Sequence, residues 1–228
     1  MWGCTCREER IDKEEKERLE NEKRIKFEHR QQRLDDITNN EFLRGGEMTF
    51  EKLKNPDDKS KLMRDYLKNL DDNLKRGKSY GLMGRPGTGK TTLMICLHKE
   101  LIKRGVTSAM INAHLFFPKL DGMGFSEKES KIEAVMKAGV LFFDDVFALE
   151  EYSPAKRELI NRIAEYRDPP RMPIFLGSNI YHESREEVAK IMVSRLGGGT
   201  VAEAIVDRIL NKRMGIINFV GKSFRQGE

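Results

Sequence analysis

The chain has 228 residues, of which 38% are hydrophobic and 35% charged, and its formal net charge is +5. This length suffices for one sizeable α/β core with appendages but hardly for two full domains. No run of about eighteen uncharged apolar residues occurs, and three cysteines cannot form a disulfide framework. We therefore expect a cytoplasmic protein that does not enter a membrane. Residues 190–225 hold seven Lys and Arg against two acids, which predicts a polyanionic partner.

The first predicted element is a long exposed helix over residues 7–36, which contain no Pro or Gly. Acids precede bases by four residues, as at Glu9 and Lys13, and such pairs stabilise a solvated helix. Its apolar residues keep no heptad, so the helix is either a docking arm for a partner or a solvated spacer. A Gly-Gly pair marks a linker after it. We place the helical arm at residues 1–44 and the main domain at residues 45–228.

A phosphate-binding loop is the strongest motif of the chain. A helix is predicted over residues 57–76 and a buried strand over residues 79–83, and the residues that follow fit G-x-x-x-x-G-K-[ST]. A core helix pattern covers residues 91–104. In such a loop the backbone N–H groups surround a triphosphate, Lys90 reaches its β and γ oxygens, and Thr91 can hold Mg²⁺. The predicted ATP-binding residues are Gly84, Arg85, Pro86, Gly87, Thr88, Gly89, Lys90, Thr91 and Thr92, together with Arg225.

Four more strand patterns follow the loop, at residues 108–113, 140–147, 173–179 and 214–220, with helical patterns between most of them. Strands that alternate with helices indicate a parallel sheet. The predicted fold class is therefore α/β, with a five-stranded parallel sheet flanked by helices.

Polar residues at the ends of two of these strands supply the chemistry. Asp144 and Asp145 end an apolar strand, where carboxylates reach Mg²⁺ at the carboxyl edge of the sheet. We expect Asp144 to coordinate Mg²⁺ and Asp145 to orient and polarise the attacking water, although an acidic pair by itself could be a helix cap. Asn179 ends the next strand and could contact the γ-phosphate or the water, or could simply close a turn.

Several motifs in this order resemble the AAA+ ATPases of the DnaC/DnaI helicase-loader and IstB transposition-helper group. The resemblance covers residues 48–225 and implies the AAA+ fold with a reduced lid, and ATP bound between the subunits of a homo-oligomer. One departure is Val146-Phe147, which stands where the group usually has a glycine after the acidic pair. The matching elements are Thr49-Phe50-Glu51, Asp144-Asp145, Gly177-Ser178-Asn179, Asp207-Arg208 and Gly221-Lys222-Ser223-Phe224-Arg225.

Three arginines receive roles from the resemblance. Arg208 is the predicted catalytic arginine finger that enters a neighbouring subunit's site, and Arg195 is the second choice. The alternative for Arg208 is a helix-surface pair with Asp207 or Glu203. Arg225 is either a nucleotide-sensing arginine or a phosphate contact for nucleic acid.

The resemblance implies an ATPase that loads a replicative helicase onto single-stranded DNA, with a transposition helper as the alternative. The pair Cys4 and Cys6 before a charged helix favours the loader, whereas residues 204–208 favour the helper. A kinase is a weaker hypothesis because no closing lid with phosphate-clamping arginines is evident. A GTPase is weaker still because residues 211–214 lack the aspartate of a guanine-reading element.

Three phenylalanines between the second and third strands allow two interpretations. In initiator-like relatives an extra helix at this place touches single-stranded DNA, so the rings could stack on bases. Packing in the core is the other interpretation. The residues are Phe116, Phe117 and Phe125.

Overall fold

A computed structural model describes residues 5–37, 48–53, 57–148, 152–168, 172–210 and 214–220, with side chains from residue 13 onward. Its strands are β1 (Ser79–Gly84), β2 (Ser108–Asn112), β3 (Val140–Asp144), β4 (Ile174–Ser178) and β5 (Met214–Phe219). Its α-helices are α1 (Thr5–Asp35), α2 (Asp58–Lys68), α3 (Leu70–Lys75), α4 (Lys90–Lys103), α5 (Ala113–Asp121), α6 (Phe125–Met136), α7 (Pro154–Arg167), α8 (Arg185–Arg195) and α9 (Gly199–Ile209). Within these ranges no helix has the length and apolar character to span a membrane.

The five strands form one parallel sheet in the order β2-β3-β4-β1-β5. Every residue of β1 to β4 is buried, because helices cover both faces of the sheet. Neighbouring strand residues accordingly point into different hydrophobic clusters: Leu82 and Phe142 into one, Met83 and Phe143 into the other. The predicted five-stranded parallel sheet flanked by helices is confirmed.

Two predicted elements are shorter in the structure by more than one residue at an end. The helix expected over residues 57–76 is two helices, because Asn69 leaves the helical conformation and its side chain donates a hydrogen bond to the Asp65 carbonyl oxygen, 3.0 Å away. The strand expected to reach residue 147 ends at Asp144. Asp145 and Phe147 have φ angles of 52° and 69°, which do not fit a β-ladder.

The end of α1 packs on the sheet. The buried Gln31 side chain pairs with the backbone of Ser108 on the edge strand β2: its Nε2 donates to the Ser108 carbonyl oxygen and its Oε1 accepts the Ser108 N–H, both at 2.9 Å. Leu34 and Ile37 are buried in the core cluster. The expectation of a helix exposed along its whole length is therefore wrong for its last turns. The domain division at residue 44 stays a prediction.

Candidate nucleotide-binding site

The predicted phosphate-binding loop joins the carboxyl end of β1 to the first turn of α4. Gly84 has a φ of 141°, and a Cβ at this position would overlap the backbone carbonyl of Phe219 on β5. Gly89 precedes α4 in the left-handed region, with a φ of 93°. Only glycine fits both requirements without strain. Within the loop Thr88 is buried and its hydroxyl donates to the Arg85 carbonyl oxygen at 2.7 Å, while Arg85 and Pro86 are exposed and Thr92 is half-buried.

Lys90 is held across the loop. Its Nζ donates to the carbonyl oxygens of Gly84 at 2.7 Å and Arg85 at 2.9 Å, and to Oδ1 of Asn179 at 3.1 Å. Only 5% of the residue is exposed. An ammonium group held against the backbone of such a loop can neutralise phosphate oxygens.

The residues predicted to hold Mg²⁺ lie in contact. The Thr91 hydroxyl donates to Oδ2 of Asp144 at 2.6 Å. Burial raises the pKa of Asp144 to about 6, and its other oxygen, Oδ1, is buried without a hydrogen-bond donor among the described residues. A buried carboxylate beside a hydroxyl provides the oxygen ligands that Mg²⁺ prefers, so these residues fit the cation.

Gly177 on β4 makes room for this carboxylate. A Cβ at Gly177 would overlap Oδ1 of Asp144, so any larger residue would displace the acid. From the sequence alone this glycine is only part of a family motif. Its spatial role follows from the pairing of β3 with β4.

The second acid of the pair is held by two amides. Oδ2 of Asp145 accepts a hydrogen bond from Nδ2 of Asn112 at 2.9 Å, and Oδ1 accepts one from Nδ2 of Asn179 at 3.5 Å. Asn179 therefore bridges Asp145 and Lys90. Asn112 did not stand out in the sequence, and the only local signal was its place at the end of β2, where its Oδ1 caps α5 by accepting the His114 N–H at 3.0 Å.

The predicted arginine finger lies away from the loop, on α9. Arg208 donates to Oδ1 of Asn161 at 3.0 Å and pairs with Glu165 at 3.1 Å, both on α7. These partners differ from Asp207 and Glu203, which the sequence suggested. Arg195 is exposed at the end of α8, and Arg225 lies outside the described residues. The finger role stays a prediction.

The three phenylalanines separate into two groups. Phe116 and Phe117 are buried in the core cluster, 3% and 2% exposed, which confirms core packing for both. Phe125, at the start of α6, is 82% exposed.

This sheet order, with a lysine-bearing loop after β1 and an acidic pair at the end of β3, defines a P-loop nucleotide-binding protein of the AAA+ fold. The chain belongs to the family of IstB-like ATP binding proteins (IstB_IS21), whose model matches residues 15–228. The crystal structure of the DnaC helicase loader has this fold, with a TM-score of 0.63 and 22% identity over 76% of this chain and 97% of that one.

Two curated relatives are more similar in sequence. The insertion sequence IS5376 ATP-binding protein of Geobacillus stearothermophilus is 33% identical over 147 residues, which are 64% of this chain and 55% of that protein. The replicative helicase loader DnaI of Bacillus subtilis is 28% identical over 116 residues, or 50% of this chain and 37% of the loader. The chain thus spans about half the length of the curated relatives it matches, or less.

Proposed function

We propose that this protein is a cytoplasmic ATP-hydrolysing switch that loads a replicative helicase onto single-stranded DNA. The observation that supports hydrolysis most is the meeting of Lys90, the Thr91 and Asp144 pair, and the Asn179 and Asp145 pair at one edge of the sheet. Phosphoryl transfer needs these groups: a cation for the phosphates, ligands for Mg²⁺ and a carboxylate for the water. Membership in an ATP-binding family supports ATP as the nucleotide.

The contacts suggest how the site would work. Thr91 and Asp144 would hold Mg²⁺, and the cation would supply positive charge that stabilises the phosphate oxygens. Asp145 would orient and polarise the attacking water. Because Asn179 contacts both Lys90 and Asp145, a γ-phosphate bound at Lys90 would alter the hydrogen bonds of Asp145. Nucleotide binding and water activation would then be coupled.

Substituting Asp145 tests the catalytic assignment. Asp145→Asn keeps the size of the side chain and removes its charge, so it should bind ATP with the parent Kd but hydrolyse it about 10²- to 10³-fold more slowly. Asp71→Asn, an exposed acid on α3, is the matched control and should change neither quantity. Hydrolysis by Asp145→Asn at the parent rate would refute the assignment.

The proposed arginine finger needs a test across subunits. Arg208→Ala should keep nucleotide affinity and lose assembly-dependent hydrolysis, by up to about 10³-fold. Mixing it with Asp145→Asn should restore part of the activity, because mixed oligomers contain intact composite sites. Arg195→Ala is the control. If Arg195→Ala behaves in this way and Arg208→Ala does not, the finger is Arg195. The bonds of Arg208 to α7 would then have only a structural role.

The partner is proposed to bind the N-terminal part of α1, which precedes the last turns that pack on the sheet. Leu19 and Ile25 are 51% and 44% exposed there, although the surrounding helix is mostly charged. An isolated charged helix gains little by exposing such residues, whereas a partner groove can take them, with the charges setting the orientation. A purified hexameric replicative helicase should bind the parent and not Leu19→Asp/Ile25→Asp. The same substitutions should leave ATP binding unchanged.

A second candidate is a transposition helper that recruits a transposase. The match to the IstB-like family over residues 15–228 and the 33% identity to an insertion-sequence protein favour it. DNA distinguishes the two proposals. A loader should prefer single strands in the presence of ATP, with an affinity that falls steeply with salt. Filaments on duplex DNA and capture of a transposase instead of the helicase would establish the helper.

A further inference from the structure

The turn after β3 has a backbone conformation that its residues do not favour. Asp145 and Phe147 both lie in the left-handed region, with φ angles of 52° and 69°. Asp tolerates this region better than most residues, but a bulky aromatic residue is found there rarely. The Ala148 N–H donates to the Asp145 carbonyl oxygen at 3.1 Å and closes the turn. Other contacts must hold Phe147 in place.

Tyr152 provides such a contact. Its hydroxyl oxygen accepts the buried N–H of Phe147 at 2.8 Å. Its ring packs edge-on against Phe117, with centroids 6.2 Å apart, and Phe117 in turn packs at 6.2 Å against Phe143 on β3. The ring of Phe147 is itself only 1% exposed. The hydroxyl is therefore fixed in position by aromatic packing that is anchored on the strand preceding the turn.

This turn determines where the Asp145 carboxylate points. The carboxylate reaches Asn112 at 2.9 Å and Asn179 at 3.5 Å from a backbone that is left-handed. A relaxed, right-handed turn would direct the side chain elsewhere, and the Nδ2 groups of Asn112 and Asn179 would lose the Asp145 carboxylate as acceptor. We infer that Tyr152 is a positioning residue for Asp145, acting through the backbone of Phe147. This inference rests on the proposed catalytic role of Asp145.

Tyr152→Phe tests the inference because it removes the hydroxyl and keeps the ring. We expect kcat for ATP hydrolysis to fall about tenfold, while KM and the Kd of a non-hydrolysable ATP analogue stay within about twofold. The double variant with Asp145→Asn should be no slower than Asp145→Asn alone, since the hydroxyl acts through that carboxylate. Equal losses in kcat and nucleotide affinity would show a merely structural role and overturn the inference.

Tyr66→Phe is the matched control. Tyr66 is also buried, and its hydroxyl donates to the Lys78 carbonyl oxygen at 3.2 Å, away from the acidic pair. It should lower thermal stability to a similar degree and leave kcat unchanged. If Tyr152→Phe does not fold, Phe117→Leu can replace it in the test. This substitution loosens the packing against the Tyr152 ring and should produce the same selective loss of kcat.

The outcomes separate the inference from the proposed function. If Asp145→Asn hydrolyses ATP slowly while Tyr152→Phe keeps the parental kcat, the inference about Tyr152 is overturned and the catalytic role of Asp145 stands. If Asp145→Asn and Tyr152→Phe both hydrolyse ATP at the parent rate, the catalytic role of Asp145 is refuted and the inference with it.

Discussion

The contact between Gln31 and the sheet edge predicts a large effect from one substitution. Gln31→Leu keeps the size of the side chain but leaves the N–H and carbonyl oxygen of Ser108 without partners, and Ser108 is fully buried. Each unsatisfied buried backbone group costs about 1–3 kcal/mol. Burying the leucine offsets about 1 kcal/mol. We expect a net loss of about 3 kcal/mol in the free energy of unfolding.

The neighbouring residue supplies the control. Gln32 is exposed on the same helix, so Gln32→Leu changes the chemistry equally but breaks no contact with β2. Urea unfolding of both variants measures the difference. Hydrogen exchange gives a local check, because the Ser108 amide should exchange up to about 10²-fold faster in Gln31→Leu than in the parent.

A small effect would refute the reasoning. If Gln31→Leu lost no more stability than Gln32→Leu, and the Ser108 amide stayed protected, the last turns of α1 would not be part of the folded core. A loss of stability that appears only as release of α1, with proteolysis near residue 31 and an unchanged remainder, would mean that the helix detaches before the sheet unfolds.

Lys90, His98 and the end of α1 are buried, so changing each of them should have a measurable consequence. Lys90→Ala should greatly weaken ATP binding in a fluorescent-analogue titration, while Lys99→Ala on the same helix should retain it; equal affinities would exclude a phosphate contact by Lys90. Burial lowers the pKa of His98 to about 4, so the folded state resists protonation and the contribution of His98 to stability should fall as the pH drops below about 6.5, by about 2 kcal/mol at pH 5. In urea unfolding the parent should therefore lose about 2 kcal/mol more stability between pH 7 and pH 5 than His98→Gln does. Deleting residues 1–24 should leave the melting temperature unchanged, whereas deleting residues 1–40 should lower it because the cut removes the buried end of α1; equal melting temperatures would contradict this.

How far a feature could be predicted depended on whether its signal was local. The phosphate-binding loop is a run of eight residues between a strand and a helix, and glycine at Gly84 and Gly89 reports backbone conformations that other residues rarely adopt. The buried strands of a parallel sheet appear as short apolar runs, because both faces are covered. Fold class and the positions of Lys90, Asp144 and Asn179 therefore followed from short windows of the sequence.

The ends of helices and strands were harder to predict. The preference of a single residue for the regular backbone conformation over an irregular one is weak and depends on neighbouring contacts. Asn69 splits a helix that its apolar pattern continues through, and Asp145 leaves the strand that the apolar run predicted. In both cases one residue adopts a conformation that neighbouring contacts stabilise. Propensity alone did not distinguish that conformation from the regular one.

The long-range contacts that position the site residues and complete the sheet edge were decided only by the tertiary structure. Asn112 and Asp145 are 33 positions apart along the chain and meet because β2 and β3 are adjacent in the sheet. Gln31 stands in a helix whose charge pattern is typical of full solvation, yet it completes the edge of β2. Tyr152 acts through the backbone N–H of Phe147. Almost every residue has such a group, so the sequence gives no sign of this contact. The sequence by itself determined which groups could do chemistry, and the fold decided which distant groups hold them, because such contacts depend on strand order and packing and leave no periodic signal.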